Sequence, residues 1–178
     1  MYKVNLNDKT MKKMKGITYS ELKVKERYDI QEWIESSPDI LFDDILIIQK
    51  ELILPSGKRL DLLGVDKEAN LVIIELKRDD SGSEVEWQAI KYTSYCSNFT
   101  LDEITHYYAE YSNISQEEAL ESIENFIDTE IDSLNENQRI ILVSRLFHSD
   151  VVSAVLWLRD FEINIELIKL EPFIDDNN

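Results

Sequence analysis

One cysteine, two histidines, four glycines and three prolines are all that 178 residues contain of those types. Cys96 alone cannot close an internal disulfide. The chain is therefore no bridge-held secreted scaffold, and a lone thiol fits a reducing, cytoplasmic setting. His106 and His148 stand apart, and neither has a cysteine or second histidine at metal-ligand spacing, which argues against a zinc site. With so little Gly and Pro there is no room for a long flexible linker. There is no Gly-rich phosphate loop. A G-x-S-x-G elbow is missing too, and no histidine lies near Cys96 to make it a nucleophile. No apolar run approaches the roughly 18 residues that a membrane helix needs. The polar, basic stretch Met1–Lys15 lacks the apolar segment of a secretory signal.

Positive charge is also scarce. The chain has 19 Lys/Arg against 36 Asp/Glu, a net charge of −17. A general nucleic-acid binder carries the opposite excess. The deficit is uneven, however. Residues 1–27 hold 8 Lys/Arg against 3 Asp/Glu, and the remaining 151 hold 11 against 33. Much of the acid falls in Asp102–Glu136, where a solvated helical surface is the simplest reading. Association with a polyanion must therefore rest on local basic residues, on metal ions or on both, and must be salt-sensitive.

What is present is 43% apolar residues, enough for the core of one ordinary domain. Residues 1–20 show no periodicity and read as an irregular basic arm. The spacing of Ile30, Trp33 and Ile34 predicts a helix over 21–36, ended by Ser37-Pro38. Three apolar runs, Ile45–Leu54, Leu60–Val65 and Leu71–Lys77, are separated by the turn signals Pro55-Ser56-Gly57 and Asp66–Asn70 and predict a meander. A helix is expected over Glu84–Asn98. One or two amphipathic helices fill 100–136, with Leu120, Ile123, Ile127 and Ile131 at helical spacing. Arg139–Val143, Val151–Phe161 and Ile163–Leu170 predict strand, helix and strand, a parallel crossover. Trp33, Trp87 and Trp157 fall on helices and read as core or interface packing. The whole is an α/β chain with a mixed sheet flanked by helices. After the arm, 21–178 form one domain with a core over about 26–98 and a C-terminal βαβ unit over 139–170.

The chemistry concentrates in Asp61 and Glu75-Leu76-Lys77. Period-two alternation sets Glu75 and Lys77 on one face of an otherwise apolar, central strand. Charged residues emerging at a solvated strand end are the plainer alternative. Asp61 lies inside the neighbouring run, and a hairpin between the two strands brings it to the Glu75 end. Two carboxylates that close repel unless a cation neutralises them or one keeps its proton. Glu26 shares the apolar stripe of the first helix and is a third carboxylate, although a first-turn acid favoured by the helix dipole reads equally well. Gln88, Lys91, Tyr92 and Tyr95 share one face of the following helix.

These residues resemble the PD-(D/E)XK nuclease superfamily: Asp61, then Glu75-Leu76-Lys77, then Gln88 and Tyr92, with Glu26 on a preceding helix. Arg59-Leu60-Asp61-Leu62-Leu63-Gly64-Val65-Asp66 and Val72-Ile73-Ile74-Glu75-Leu76-Lys77-Arg78 are similar to the NucS-type endonuclease catalytic domain. Ala154-Val155-Leu156-Trp157-Leu158 is similar to a C-terminal extension of some proteins of this kind. Leu60 stands where the superfamily motif names proline, and residues 1–25 before the similar region read as too short for the N-terminal DNA-binding domain that accompanies this catalytic domain in full-length NucS-type enzymes.

The resemblance implies a restriction-endonuclease-like core and hydrolysis of phosphodiester bonds in DNA. It implies Mg²⁺ or Mn²⁺ held by Asp61, Glu75 and the Leu76 backbone carbonyl. Lys77, Gln88 and Glu26 complete the catalytic set, and Lys58, Arg59, Arg78, Lys91 and Tyr92 meet substrate phosphates. The acidic body leaves open a catalytically silent interaction module, or a nuclease subunit that relies on a protein partner or homodimer for DNA binding.

Overall fold

The computed structural model describes residues 1–42 and 44–174. Its centre is the expected meander. The strands β4 (Ile45–Ile53), β5 (Arg59–Asp66) and β6 (Leu71–Asp80) pair antiparallel in sequence order. The first turn needs Gly57, whose φ of 74° belongs to the left-handed region. The second is closed by Asp66, whose Oδ1 accepts the Asn70 backbone N–H at 2.8 Å and whose Oδ2 accepts the Asn70 side-chain amide at 3.0 Å. Gly64 in β5 marks a close approach between strands. A Cβ there would lie 3.0 Å from the Leu46 carbonyl oxygen and 3.0 Å from Ile45 Cγ2.

Two further strands extend the sheet on the other side of β6. These are β7 (Gln138–Leu146) and β8 (Ile165–Lys169), both parallel, giving the order β4-β5-β6-β7-β8. The helix α5 (Ser149–Asp160) links β7 to β8, so the C-terminal strand–helix–strand unit is present. The central strand β6 is therefore antiparallel to one neighbour and parallel to the other. It runs three residues past Lys77, because the pairing with β7 resumes at Asp80↔Leu146 after an irregularity.

Alternation along the strands sends apolar side chains to both faces. On one face α2 (Val85–Cys96), α3 (Leu101–Ser112) and α4 (Gln116–Phe126) cover Leu63, Val65, Leu71 and Ile73 with Tyr92, Cys96, Ile104 and Ile123. Next to them α2 and α5 close over Ile140, Leu142 and Ile165. On the other face Ile30 and Ile34 pack on Leu62, Val72, Ile74 and Leu76. The acidic 100–136 segment resolves into two capped helices. Thr100 with Glu103 and Ser115 with Glu118 each form a capping box, and Asn113 ends α3 in the left-handed region. The helical spacing that reached Ile131 breaks at Ile127, which is extended, and Ile131–Ser133 is a separate 3₁₀ turn.

Other expectations change. The N-terminal arm is not irregular: β1 (Tyr2–Asn5) and β2 (Thr10–Lys13) form a hairpin, followed by β3 (Lys15–Gly16), which pairs with β9 (Phe173–Ile174). Its strands are too short and too exposed to show a period. The first helix begins at Glu26, not Glu21, and consists of a π-helical turn, Glu26–Ile30, running into α1 (Gln31–Ser36). Trp33, Trp87 and Trp157 are exposed and do not enter the core, although Trp157 packs on Phe161 at a centroid distance of 4.7 Å. The last four residues assigned to the domain lie outside the described residues, as does Asp43. Among the described residues no helix is long and apolar enough to cross a membrane.

Candidate active site

The row Leu71, Ile73, Glu75, Lys77 lies along the face of β6 that α2 covers, so the apolar strand delivers a carboxylate beneath a helix. Glu75 is 1% exposed. The ladder between β5 and β6 is regular from Val65↔Leu71 to Leu62↔Ile74 and ends there, one step before Asp61 would face Glu75. In place of the next ladder bond, Asp61 Oδ2 accepts the Leu76 backbone N–H at 2.9 Å. The N–H and C=O of one residue in an extended strand point to the same edge, so the Leu76 carbonyl also faces this fork.

Around Glu75 the expected residues converge. Lys77 Nζ donates to Glu75 Oε1 at 2.6 Å, and Gln88 Nε2 donates to the same oxygen. Gln88 also donates to the Tyr92 hydroxyl at 3.1 Å. The residue spacing on α2 thus sets Gln88 against Glu75 and backs it with Tyr92. Glu26 Oε2 accepts the Arg78 backbone N–H at 2.6 Å, which joins the first helical turn to the strand just beyond Lys77.

The electrostatics of this cluster are unbalanced. Burial pushes the Asp61 carboxyl up to about 6; repulsion from Glu26 adds to that, and the Leu76 N–H and the Lys77 charge oppose it. Burial and then the Asp61 charge push Glu75 up to about 8, against the pull of Lys77. Burial presses the Lys77 ammonium down, but Glu75, Asp61 and Glu26 outweigh it and leave it above its ordinary value. Burial and the Glu75 charge raise the Tyr92 phenol. Glu75 Oε2 is buried with no hydrogen-bond partner. A buried acceptor of that kind is satisfied by a cation or by a proton. Two carboxylates and a backbone carbonyl form an all-oxygen donor set of the type that suits a hard divalent ion.

A cleft of about 530 Å³ opens beside this cluster, lined by Lys58, Lys77, Ser81, Gln88, Lys91 and Tyr92 among others. Of the four basic residues singled out in the sequence for substrate phosphates, Lys58 and Lys91 line this cleft. Arg59 Nε lies 3.4 Å from Glu51 Oε1, and Arg78 Nε donates to Asp79 Oδ2 at 2.9 Å; neither lines the cleft. Glu51, which also pairs with Arg27, and Asp79 carry no spacing signal in the sequence. Tyr95 is exposed.

A second acidic group sits at the far end of β5. Among the described residues, Asp44, Asp66 and Glu68 are the one set of three with donor oxygens within 4.8 Å of one another. Arg139 pairs with two of the three, its Nη1 3.0 Å from Asp44 Oδ2 and 3.6 Å from Asp66 Oδ2, and with Glu166 outside the group, its Nη2 3.1 Å from Glu166 Oε2. It is an ion-pair network that ties the meander to β7 and β8.

The model of the family described as the endonuclease NucS C-terminal domain matches residues 26–147. That span covers the first helical turn, the meander, α2–α4 and β7. No curated protein gives a significant match. Among solved structures, a repair endonuclease from Pyrococcus abyssi is similar at 20% identity over 83% of this chain and 48% of that one, with a TM-score of 0.46. An EndoMS–dsDNA2 complex is similar at 17% identity over 88% of this chain and 47% of that one, with a TM-score of 0.43. The chain spans about half the length of these two.

Proposed function

The chain belongs to the NucS C-terminal endonuclease domain family, and from that premise we propose that it is a metal-dependent endonuclease acting on DNA phosphodiester bonds. The observation that carries the reading is the pairing of half-buried Asp61 with buried Glu75 at the fork of β5 and β6, with Glu75 Oε2 lacking a partner and Lys77 alongside. Asp61, Glu75 and the Leu76 carbonyl would hold Mg²⁺ or Mn²⁺. A bound divalent ion supplies Lewis acidity at a phosphoryl oxygen and a more acidic water.

The protein's own groups then have distinct tasks. Glu75 Oε1 anchors Lys77 at the cleft wall, where the ammonium meets charge developing on the phosphate. Gln88 holds the Glu75 carboxylate from the α2 side, and Tyr92 holds Gln88. Glu26 fixes the backbone at Arg78 and so positions the Lys77 end of β6. Lys58 and Lys91 offer charges to neighbouring phosphates along the cleft.

The test is cleavage of supercoiled plasmid and of end-labelled oligonucleotides with Mg²⁺ or Mn²⁺, beside EDTA controls. Asp61→Ala and Lys77→Ala are expected to abolish it. Unchanged cleavage in both variants sinks the assignment. Calorimetric titration with Mn²⁺ separates this reading from the silent acidic module, which takes up no ion at Asp61 and Glu75.

A further inference from the structure

The body of this protein is acidic, and its basic charge is concentrated at one place. Residues 1–16 carry five lysines against one aspartate, whereas 17–178 carry 14 Lys/Arg against 35 Asp/Glu. Those sixteen residues are the β1–β2 hairpin and β3, and every residue of the three strands is exposed. The register sets Lys3 beside Lys12 on one face of the ribbon, and Val4 beside Met11 and Tyr2 beside Lys13 on the other. The hairpin takes its shape from its own turn. Asn5 Oδ1 accepts the backbone N–H of Asn7 at 3.0 Å, and Asn5 Nδ2 donates to Asp8 at 2.7 Å. Among the described residues no hydrophobic cluster includes this ribbon, and a two-stranded ribbon by itself is marginal in water.

The base of the hairpin is tied to the strand that carries the site. β3 pairs with β9, and three residues later the Tyr19 N–H donates to Asp79 Oδ1 at 2.9 Å. Asp79 lies two residues beyond Lys77 on β6 and also contacts Arg78 and Arg145. The arm therefore leaves the body at the end of the sheet where the cleft opens. A four-residue strand at about 3.3 Å per residue extends about 13 Å, close to four steps of duplex at about 3.4 Å each. A two-stranded ribbon is also an element that the major groove of B-DNA admits.

We propose that the β1–β2 hairpin is a DNA-gripping arm whose lysines neutralise backbone phosphates next to the bond held at the Lys77 cleft. The inference rests on the nuclease reading and deepens it, by giving an acidic protein its hold on a polyanion. Attachment beside the cleft favours DNA over the acidic surface of a second copy, which would ask for no such placement.

The experiment measures fluorescence anisotropy of a labelled duplex of about 30 base pairs, titrated with the full chain in Ca²⁺ without Mg²⁺ or Mn²⁺, from about 50 to about 200 mM salt. The triple variant K9Q/K12Q/K13Q is expected to bind at least about tenfold more weakly at 100 mM salt, with the salt slope reduced by about 2 to 3. Its thermal midpoint should match the wild type, because the arm lies outside the core. With Mg²⁺, cleavage should fall at low protein concentration and recover at saturation. Equal affinity and slope in wild type and variant overturn the proposal. So does a variant that only shifts a dimer to a monomer in sedimentation, with DNA affinity per protomer intact. Arm-dependent binding without any cleavage upholds the arm and removes the nuclease reading; cleavage with arm-independent binding does the reverse.

Discussion

Asp61 Oδ2 takes the Leu76 backbone N–H at 2.9 Å, so a side-chain carboxylate stands in for a rung of the β5–β6 ladder. The same group is thus structural and, in our proposal, metal-binding, and two substitutions separate the roles. Asn keeps an acceptor for the N–H; Ala leaves it buried and unsatisfied, at a cost of about 1–3 kcal/mol. Both variants should lose metal-dependent cleavage. At pH 5, where the raised Asp61 carboxyl is mostly protonated, Asp61→Ala should melt a few degrees below Asp61→Asn, at roughly 2–4 °C per kcal/mol. Equal midpoints in calorimetry would show that the rung contributes nothing.

The metal-free protein should lose stability as pH rises from about 4 toward 8. Burial raises both carboxyls in the folded chain, Asp61 from 3.8 to about 6 and Glu75, with the Asp61 charge beside it, from 4.5 to about 8. The folded state therefore holds protons that the unfolded chain has already released, and raising the pH favours unfolding through this window. Mn²⁺ must displace those protons, so its stabilising effect should grow over the same range. Thermal melts at pH 5.5 and 8 with and without Mn²⁺ check this. A larger Mn²⁺ shift at pH 5.5 contradicts it, as does a full-sized shift in Asp61→Asn.

Gln88→Ala removes a donor to Glu75 and a partner of Tyr92 while leaving the carboxylates in place. Loss of such an outer contact typically costs about 10–100-fold in activity or metal affinity. We expect that range for Gln88→Ala in Mn²⁺-dependent cleavage, with unchanged far-UV circular dichroism, and a smaller loss for Tyr92→Phe. Wild-type rates in Gln88→Ala would confine this residue to helix packing.

Arg139 provides a control at the opposite end of β5. Replacing it by Met leaves Asp66, which is 1% exposed, with its Asn70 hydrogen bonds but without its compensating charge, and should cost about 3–5 kcal/mol of stability. Specific cleavage activity of the folded fraction should stay at the wild-type level, because the network is remote from the Glu75 cleft. A Mn²⁺ site that vanished with Asp66→Asn and survived Asp61→Asn would transfer the metal to this end.

Much of this was legible in the chain. The meander, the α2 helix and the C-terminal crossover followed from apolar runs and turn residues. Asp61, Glu75, Lys77, Gln88 and Tyr92 converge because period-two strands and an i, i+4 helix pair leave little freedom. Features set by tertiary contact were not legible. Arg59 and Arg78 are flanking cations by spacing, yet Glu51 and Asp79 take them up, and those two acids sit among many others in the sequence. The β1–β2 hairpin is shaped by a local Asn5–Asp8 turn without an apolar alternation to announce it. Three tryptophans at helical positions face outward, since helix periodicity fixes a spacing but not which face is covered.

Because β6 is antiparallel to β5 and parallel to β7, the sheet joins a local half to a distant one. Lys58 to Tyr92 meet through short turns, whereas β7 reaches β6 only after α2, α3 and α4 have been traversed. Loop closure over that span is the entropically slower event. The expected order of folding is that the meander, with the carboxylate pair and its lysine, pairs first and β7 docks afterwards, which would give higher φ-values in β5 and β6 than in β7.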